Sequence, residues 1–147
     1  MDSLLMIRFI RFNVVGAFGF ALQSGALFAL EHIAHPVNYL AATAAAVELA
    51  VLNNFAWHQL WTWNDRPSPT MAETLRRLAK FNLTNGLVSL AGNLILMGLL
   101  VGRLGVPVAA AYLVSVATCS IFNFVLADRI AFTVVPGYAI SSQSKDT

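Results

Sequence analysis

Charged side chains are scarce in this sequence, and their scarcity excludes most soluble proteins. Only 11% of the 147 residues are Asp, Glu, Lys or Arg, and 58% are hydrophobic, whereas a soluble domain carries about 25% charged residues. The mean hydropathy is +0.69. This composition is typical of an integral membrane protein. The net charge of +2 is too small to indicate a nucleic-acid partner.

The residue sets that catalyse reactions or hold cofactors are missing as well. The sequence has one cysteine, three histidines and seven acids, and it contains neither a glycine-rich phosphate loop nor metal-ligand spacing. His32 and His35 could share one helical turn, but two histidines are a weak metal signal. We therefore expect no catalytic residue, no metal and no cofactor, and we predict that the chain is not an enzyme.

Four long apolar stretches account for most of the chain. They cover roughly residues 14–30, 37–57, 81–101 and 106–126, and each approaches the ~20 residues needed to cross a bilayer. Glu48 is the only charged residue within them. Because lipid cannot satisfy backbone polar groups, we predict that all four are transmembrane helices.

Basic residues collect on alternate connections between these stretches. Arg8 and Arg11 precede the first, Arg129 follows the fourth, and Arg103 is the only basic residue on the other two connections. The middle connection carries Arg66, Arg76, Arg77 and Lys80. Since cytoplasmic loops carry an excess of Lys and Arg, we predict a multi-pass protein of the cytoplasmic membrane with both termini and the middle loop in the cytoplasm.

Two local patterns refine this organisation. Thr70-x-x-Glu73 has the spacing of a capping box, which predicts a helix that begins near Met71 and runs into the third span. Residues 137–147 are rich in Ser with Gln, Lys and Asp, and we predict that they form a disordered polar tail after a membrane domain that covers residues 1–136.

An internal repeat appears when 69 is added to the residue number. The offset pairs Arg8 with Arg77, Arg11 with Lys80, Phe12 with Phe81, Asn13 with Asn82, Asn54-Phe55 with Asn123-Phe124, and Trp63 with Phe132. The copies cover about residues 8–65 and 77–134. Each copy contains two spans, so both enter the membrane in the same direction, as in a parallel repeat. The predicted fold class is an all-α membrane protein whose four transmembrane helices form two parallel two-helix repeats.

Polar residues within the predicted spans are the first candidates for a function. At 100° per residue, the third span has one polar stripe, which consists of Asn82, Asn85, Ser89 and Asn93. Such a stripe either joins helices through hydrogen bonds or lines a polar cleft that admits part of a substrate. Three tryptophans, Trp57, Trp61 and Trp63, lie where the aromatic belt of a membrane protein is expected.

Glu48 is a second candidate, because a carboxylate near mid-span costs ~2.5–3.5 kcal/mol on insertion scales. It could bind a cation or a proton, or accept hydrogen bonds from a sugar hydroxyl. It could also pair, while protonated, with Asn or Gln on a neighbouring span. The repeat does not demand it, since the equivalent residue is Ala117.

The order of four segments resembles a known family. The first span begins "RFNVVGAFG", the second ends "NFAWHQLWTW", the third is entered by "LAKFNLTNG", and the fourth closes with "NFVLADRIAF". This order resembles the GtrA-like family over about residues 8 to 133. The resemblance implies a role in cell-surface polysaccharide synthesis, in which members move polyprenyl-phosphate-linked sugars across the membrane or assist glycosyltransferases.

The resemblance also implies which residues meet such a substrate. The family often has a basic residue before the aromatic-Thr-aromatic triplet, where this chain has Leu60, whereas the second copy keeps Arg129. The candidates for binding the phosphate are Arg11, Lys80 and Arg129. The candidates for hydrogen bonds to the sugar are Asn13, Glu48, Asn54, Asn82, Asn85, Asn93 and Asn123.

Three functions therefore stay open at the level of sequence. The first is translocation of a polyprenyl-phosphate-linked sugar. The second is a membrane anchor or accessory subunit that recruits a glycosyltransferase. The third is a small cation exporter in which Glu48 binds protonated cations. Because four helices enclose little volume, we also expect a homo-oligomer.

The predicted topology can be tested with single cysteines. Cysteines placed at position 68 and in the tail should resist an impermeant thiol reagent applied to intact cells, because both lie on the predicted cytoplasmic side. A cysteine at position 35 should react. Labelling at position 68 and in the tail, with none at position 35, would reverse the orientation.

Overall fold

The computed structural model describes residues 3–33 and 39–134, and these residues form helices and turns without a strand. The four main helices are α1 (Ser3–Ile33), α2 (Tyr39–Trp57), α3 (Met71–Met97) and α4 (Val108–Leu126). The all-α prediction is confirmed for this part of the chain. The predicted tail, 137–147, lies outside the described residues.

Three of these helices continue into π-helical turns, which cover His58–Thr62 after α2, Gly98–Arg103 after α3 and Ala127–Ala131 after α4. The wider turns close with bonds from residue i+5 to residue i. The amide of Trp63 donates to the His58 carbonyl at 2.8 Å, and the amide of Phe132 donates to the Ala127 carbonyl at 2.8 Å. Such turns are rare and occur frequently at functional sites.

Length and apolar character identify three candidate membrane spans within the described residues. They are Ser3–Leu30, Met71–Arg103 and Val108–Ala131. The first two contain the predicted first and third spans, and the last overlaps the predicted fourth span from Val108 onwards. The predicted second span is helical over Tyr39–Trp57. Its passage through the membrane stays a prediction.

The helix starts differ from the apolar stretches for identifiable reasons. α1 begins at Ser3, well before residue 14, because its first turns carry Arg8 and Phe12 into buried positions. α3 begins at Met71 as predicted. The Thr70 hydroxyl accepts a hydrogen bond from the amide of Glu73 at 3.2 Å, so the expected N-cap is formed.

The chain divides into two compact units, Met1–Pro67 and Ser68–Thr147. In unit 1, α1 packs against α2, and in unit 2, α3 packs against α4. Both α2 and α4 bury small residues at four-residue spacing, namely Ala42, Ala46 and Ala50 on α2 and Ala111, Ser115 and Cys119 on α4. Small side chains allow helix backbones to approach closely inside a membrane.

A close approach in unit 1 joins Gly19 of α1 to Asn54 of α2. A Cβ atom built at Gly19 would overlap the Asn54 carboxamide, 2.5 Å from its Cγ. In unit 2, a Cβ at Gly92 would lie 3.0 Å from the Cys119 sulfur. Asn54 therefore fills the space that Gly19 leaves, and a side chain at position 19 would displace the Asn54 carboxamide.

Gly19→Ala should destabilise unit 1 by about 1–3 kcal/mol, because the added methyl group overpacks the contact with Asn54. Gly16→Ala is the matched control, since nothing lies within 4 Å of a Cβ at that position. Because alanine has a better helix propensity than glycine, this variant should be as stable as the unmodified chain or more stable. Unfolding of the purified variants in detergent measures both effects. Equal stability of the two variants would contradict the proposed contact.

Candidate functional site

The end of unit 1 forms a buried polar and aromatic corner. The corner consists of Arg8, Phe12, His58 and Trp63, which are buried, and Asp65, which is exposed. Arg8 is 6% exposed and forms an ion pair with Asp65. The Phe12 ring stacks on the His58 ring at a centroid distance of 4.8 Å and meets the Trp63 ring edge-on at 6.1 Å. Trp63 is fully buried, so it is part of the protein interior and not of an aromatic belt.

Unit 2 has matching contacts at its own helix end. Arg77 is 1% exposed and donates to the Thr133 carbonyl at 3.0 Å. Phe81 and Phe132 meet edge-on at 5.9 Å with an interplanar angle of 71°, compared with 72° for Phe12 and Trp63. Arg77, Phe81 and Phe132 each lie 69 positions after their counterparts in unit 1.

His58 contributes a neutral ring to this corner. It lies just beyond the predicted second span, and burial lowers the pKa of its imidazole to about 3. Its Nδ1 lies 3.0 Å from the Thr62 hydroxyl. At neutral pH the ring therefore carries no charge and cannot act as a cationic ligand for phosphate.

Within the described residues, no acid neutralises the charges of the three basic candidates. Nη1 of Arg11 donates to the Trp61 carbonyl at 2.9 Å, and its guanidinium lies over the Trp61 ring at 5.4 Å. Lys80 is half-buried, and Arg129 is exposed. None of the three forms an ion pair with an acid among the described residues.

Amide groups line the contact between α3 and α4 in unit 2. Nδ2 of Asn123 donates to the Ser89 hydroxyl at 2.8 Å, so the polar face of α3 meets α4 at this point. The amide oxygens of Asn85, Asn93 and Asn123 are buried and have no hydrogen-bond partner among the described residues. Asn82 is half-buried on the same helix.

The polar candidates of unit 1 are less closely grouped. Asn13 is exposed, and its Nδ2 donates to the Phe9 carbonyl at 2.9 Å, within its own helix. Asn54 covers Gly19, and its buried Oδ1 has no partner in the described part of the chain. Glu48 lies exposed on α2 and makes no ion pair with any described residue.

Sequence patterns missed two features of unit 1. Arg8 was expected only to orient the protein in the membrane, although its pairing with Arg77 at the repeat offset was a signal of a structural role. The second feature is an open apolar groove of about 460 Å³, which is lined by Val14, Val15, Phe18, Trp57, Leu60 and Trp61. It joins residues from two helices, so no single stretch of sequence predicts it.

Two comparisons with known proteins bear on these residues. The family model described as GtrA/DPMS, transmembrane domain, matches residues 11–132, a range that contains every candidate residue. A dolichol-phosphate mannosyltransferase of Pyrococcus furiosus is 33% identical over 76 residues, which are 52% of this chain and 20% of that protein. The matched segment is therefore a fifth of the relative's length.

The buried His58 predicts a pH dependence of stability. Its pKa is about 3 in the folded chain and about 6.5 when unfolded, so only the unfolded state takes up a proton as the pH falls between these values. The free energy of unfolding should therefore fall by about 2 kcal/mol between about pH 7 and about pH 5. Unfolding in detergent at both pH values measures this loss. His58→Phe should remove this component, and an unchanged pH dependence in that variant would contradict the assignment.

Proposed function

The chain belongs to the GtrA/DPMS transmembrane-domain family, and from this premise we propose that it moves a polyprenyl-phosphate-linked sugar across the cytoplasmic membrane. The name of the archaeal relative, a dolichol-phosphate mannosyltransferase, supports this class of substrate, because the name refers to both a polyprenyl phosphate and a sugar. We propose no catalytic role for the chain. Its substrate is supplied or consumed by a membrane glycosyltransferase.

The observation that carries the proposal is the set of buried acceptors in unit 2. A buried polar atom left without a hydrogen bond costs about 1–3 kcal/mol, and the oxygens of Asn85, Asn93 and Asn123 have no partner among the described residues. A sugar head carries many hydroxyl donors. Its hydroxyls would satisfy these oxygens, and a bare hydrocarbon chain would not.

The uncompensated basic side chains suit the phosphate of the same substrate. Arg129 and Lys80 in unit 2 and Arg11 in unit 1 have no acidic partner among the described residues. A guanidinium or ammonium group forms charge-assisted hydrogen bonds with phosphate. Basic residues at the cytoplasmic edge also attract anionic lipids.

The proposal includes the orientation of the helices in the membrane. Equivalent contacts occur 69 positions apart, as between Phe12 and Trp63 in unit 1 and between Phe81 and Phe132 in unit 2. If α2 crosses the bilayer, each unit contains two spans, and both units enter in the same direction. The basic helix end of each unit then faces the cytoplasm, with both termini on that side.

An accessory role is the second candidate, and one observation favours it. The relative that shares this segment is named as a transferase, and the match is only a fifth of its length. A segment of this type can therefore be part of a sugar-transferring protein. In the accessory role, the chain would hold a separate glycosyltransferase at the membrane and move no lipid.

Transport and recognition can be tested in liposomes with two polyprenyl-phosphate lipids that differ only in the sugar. Arg129→Ala should weaken binding of both lipids by roughly ten- to a hundredfold, because it removes a charge-assisted hydrogen bond to the shared phosphate. Asn85→Ala and Asn93→Ala should affect one lipid more than the other. Arg103→Ala, at the end of the other π-helical turn of unit 2, is the control for loss of an exposed charge.

Glu48→Gln completes this experiment, because it removes ionisation and keeps the shape. A protein that only hydrogen-bonds the sugar should tolerate the change, whereas a carrier coupled to an ion should lose accumulation against a gradient. Equal losses for both lipids in every variant would exclude a sugar site along α3. Absence of translocation by the unmodified protein would favour the accessory role.

A further inference from the structure

The apolar groove belongs to unit 1, whereas the amide stripe belongs to unit 2. It lies between the first half of α1 and the end of α2, and its lining contains Phe18, Trp57, Leu60 and Trp61. Its volume of about 460 Å³ falls within the ~300–1,000 Å³ of typical small-ligand sites. Because every lining residue is apolar or aromatic, the groove suits a hydrocarbon chain and not a sugar.

A positive charge borders this groove. Arg11 lies over the ring of Trp61, which is itself a lining residue, and it precedes the lining residues Val14 and Val15 by one turn of α1. The neighbouring Arg8 is neutralised by its ion pair with Asp65. Arg11 has no acidic partner among the described residues, so its charge is available to an anion at the rim of the groove.

The corresponding sequence in the second copy is less apolar. Trp57, Leu60 and Trp61 line the groove in unit 1, and the residues 69 positions later are Leu126, Arg129 and Ile130. Leu60 is the most exposed of the lining residues, and its counterpart is a charged arginine. The apolar character of the groove therefore belongs to the first copy and does not follow from the repeat.

We propose that this groove holds the isoprenoid units next to the phosphate of the lipid-linked sugar, with the phosphate bound by Arg11. The class of ligand rests on the proposed function, whereas the binding place and the orientation of the prenyl chain go beyond it. A prenyl chain in a bilayer is already surrounded by hydrocarbon, so entering the groove gains packing and not hydrophobic transfer energy. The phosphate supplies most of the affinity, and the aromatic lining adds a smaller preference for the chain.

Sugar-free ligands test this site independently of transport. The probes are farnesyl phosphate, farnesol and dodecyl phosphate, which are added to the purified full chain in detergent micelles. Emission from Trp57 and Trp61 reports binding, because both side chains line the groove. Circular dichroism confirms that each variant keeps its helices.

The variants separate the two parts of the ligand. Arg11→Gln should weaken the binding of farnesyl phosphate roughly ten- to a hundredfold and leave the binding of farnesol unchanged. Phe18→Ala and Leu60→Ala should each weaken the binding of farnesyl phosphate and of farnesol to a similar extent, by about two- to tenfold. These two residues are 54% and 73% exposed, so their truncation should not disturb folding. Arg103→Gln and Leu94→Ala are matched controls outside the groove and should bind as the unmodified chain does.

Three outcomes would overturn the proposal. The first is farnesyl phosphate binding that Phe18→Ala and Leu60→Ala leave unchanged. The second is an equal loss of farnesol and farnesyl phosphate in Arg11→Gln. The third is dodecyl phosphate binding as tight as that of farnesyl phosphate, which would make the groove a general lipid site. Binding of farnesyl phosphate here without movement of a sugar lipid would support the groove site and contradict the proposed function. Movement of a sugar lipid without binding of farnesyl phosphate in the groove would support the proposed function and contradict the groove site.

Discussion

Helices in a membrane are not driven together by the hydrophobic effect, because lipid is as apolar as their side chains, so close contact and polar bonds must hold each pair. Within each unit the buried small residues meet this constraint, as Ala42 and Ala46 do on α2 and Ala111 and Ser115 do on α4. The fit is tight enough that Asn54 occupies the space of a missing side chain at Gly19. The positions of the helix ends depend on this packing.

Close packing brings distant charges together at the end of unit 1. Arg8 reaches Asp65, 57 positions away in the sequence, whereas Arg11, one turn further along α1, has no acid partner among the described residues. The same contact between α1 and α2 forms the apolar groove beside Arg11. The proposed phosphate site and the proposed chain site are therefore adjacent as a consequence of how two helices pack. In unit 2 the residue 69 positions after Leu60 is Arg129, so a charged side chain replaces the apolar one at this position.

The predicted fold followed from features that operate locally. Backbone groups in lipid must bond within their own segment, so long apolar stretches predicted helices, and α4 ends at Leu126 where the apolar stretch does. The Thr70 cap was also local, since its partner is the amide of Glu73. The start of α1 was not predicted, because Arg8 and Phe12 are helical through contacts with residues near the end of α2.

The sequence by itself determined the helical class and the membrane character, because composition and period can be read without a partner, and its resemblance to a family supplied the ten candidate residues. Only the tertiary structure decided which of these groups have partners. It placed Asn13 in a bond within its own helix and left the oxygens of Asn85, Asn93 and Asn123 without one among the described residues. It also buried Trp63 and exposed Leu60. The reason is physical: burial and hydrogen bonding depend on which helix lies opposite, and that is a property of packing.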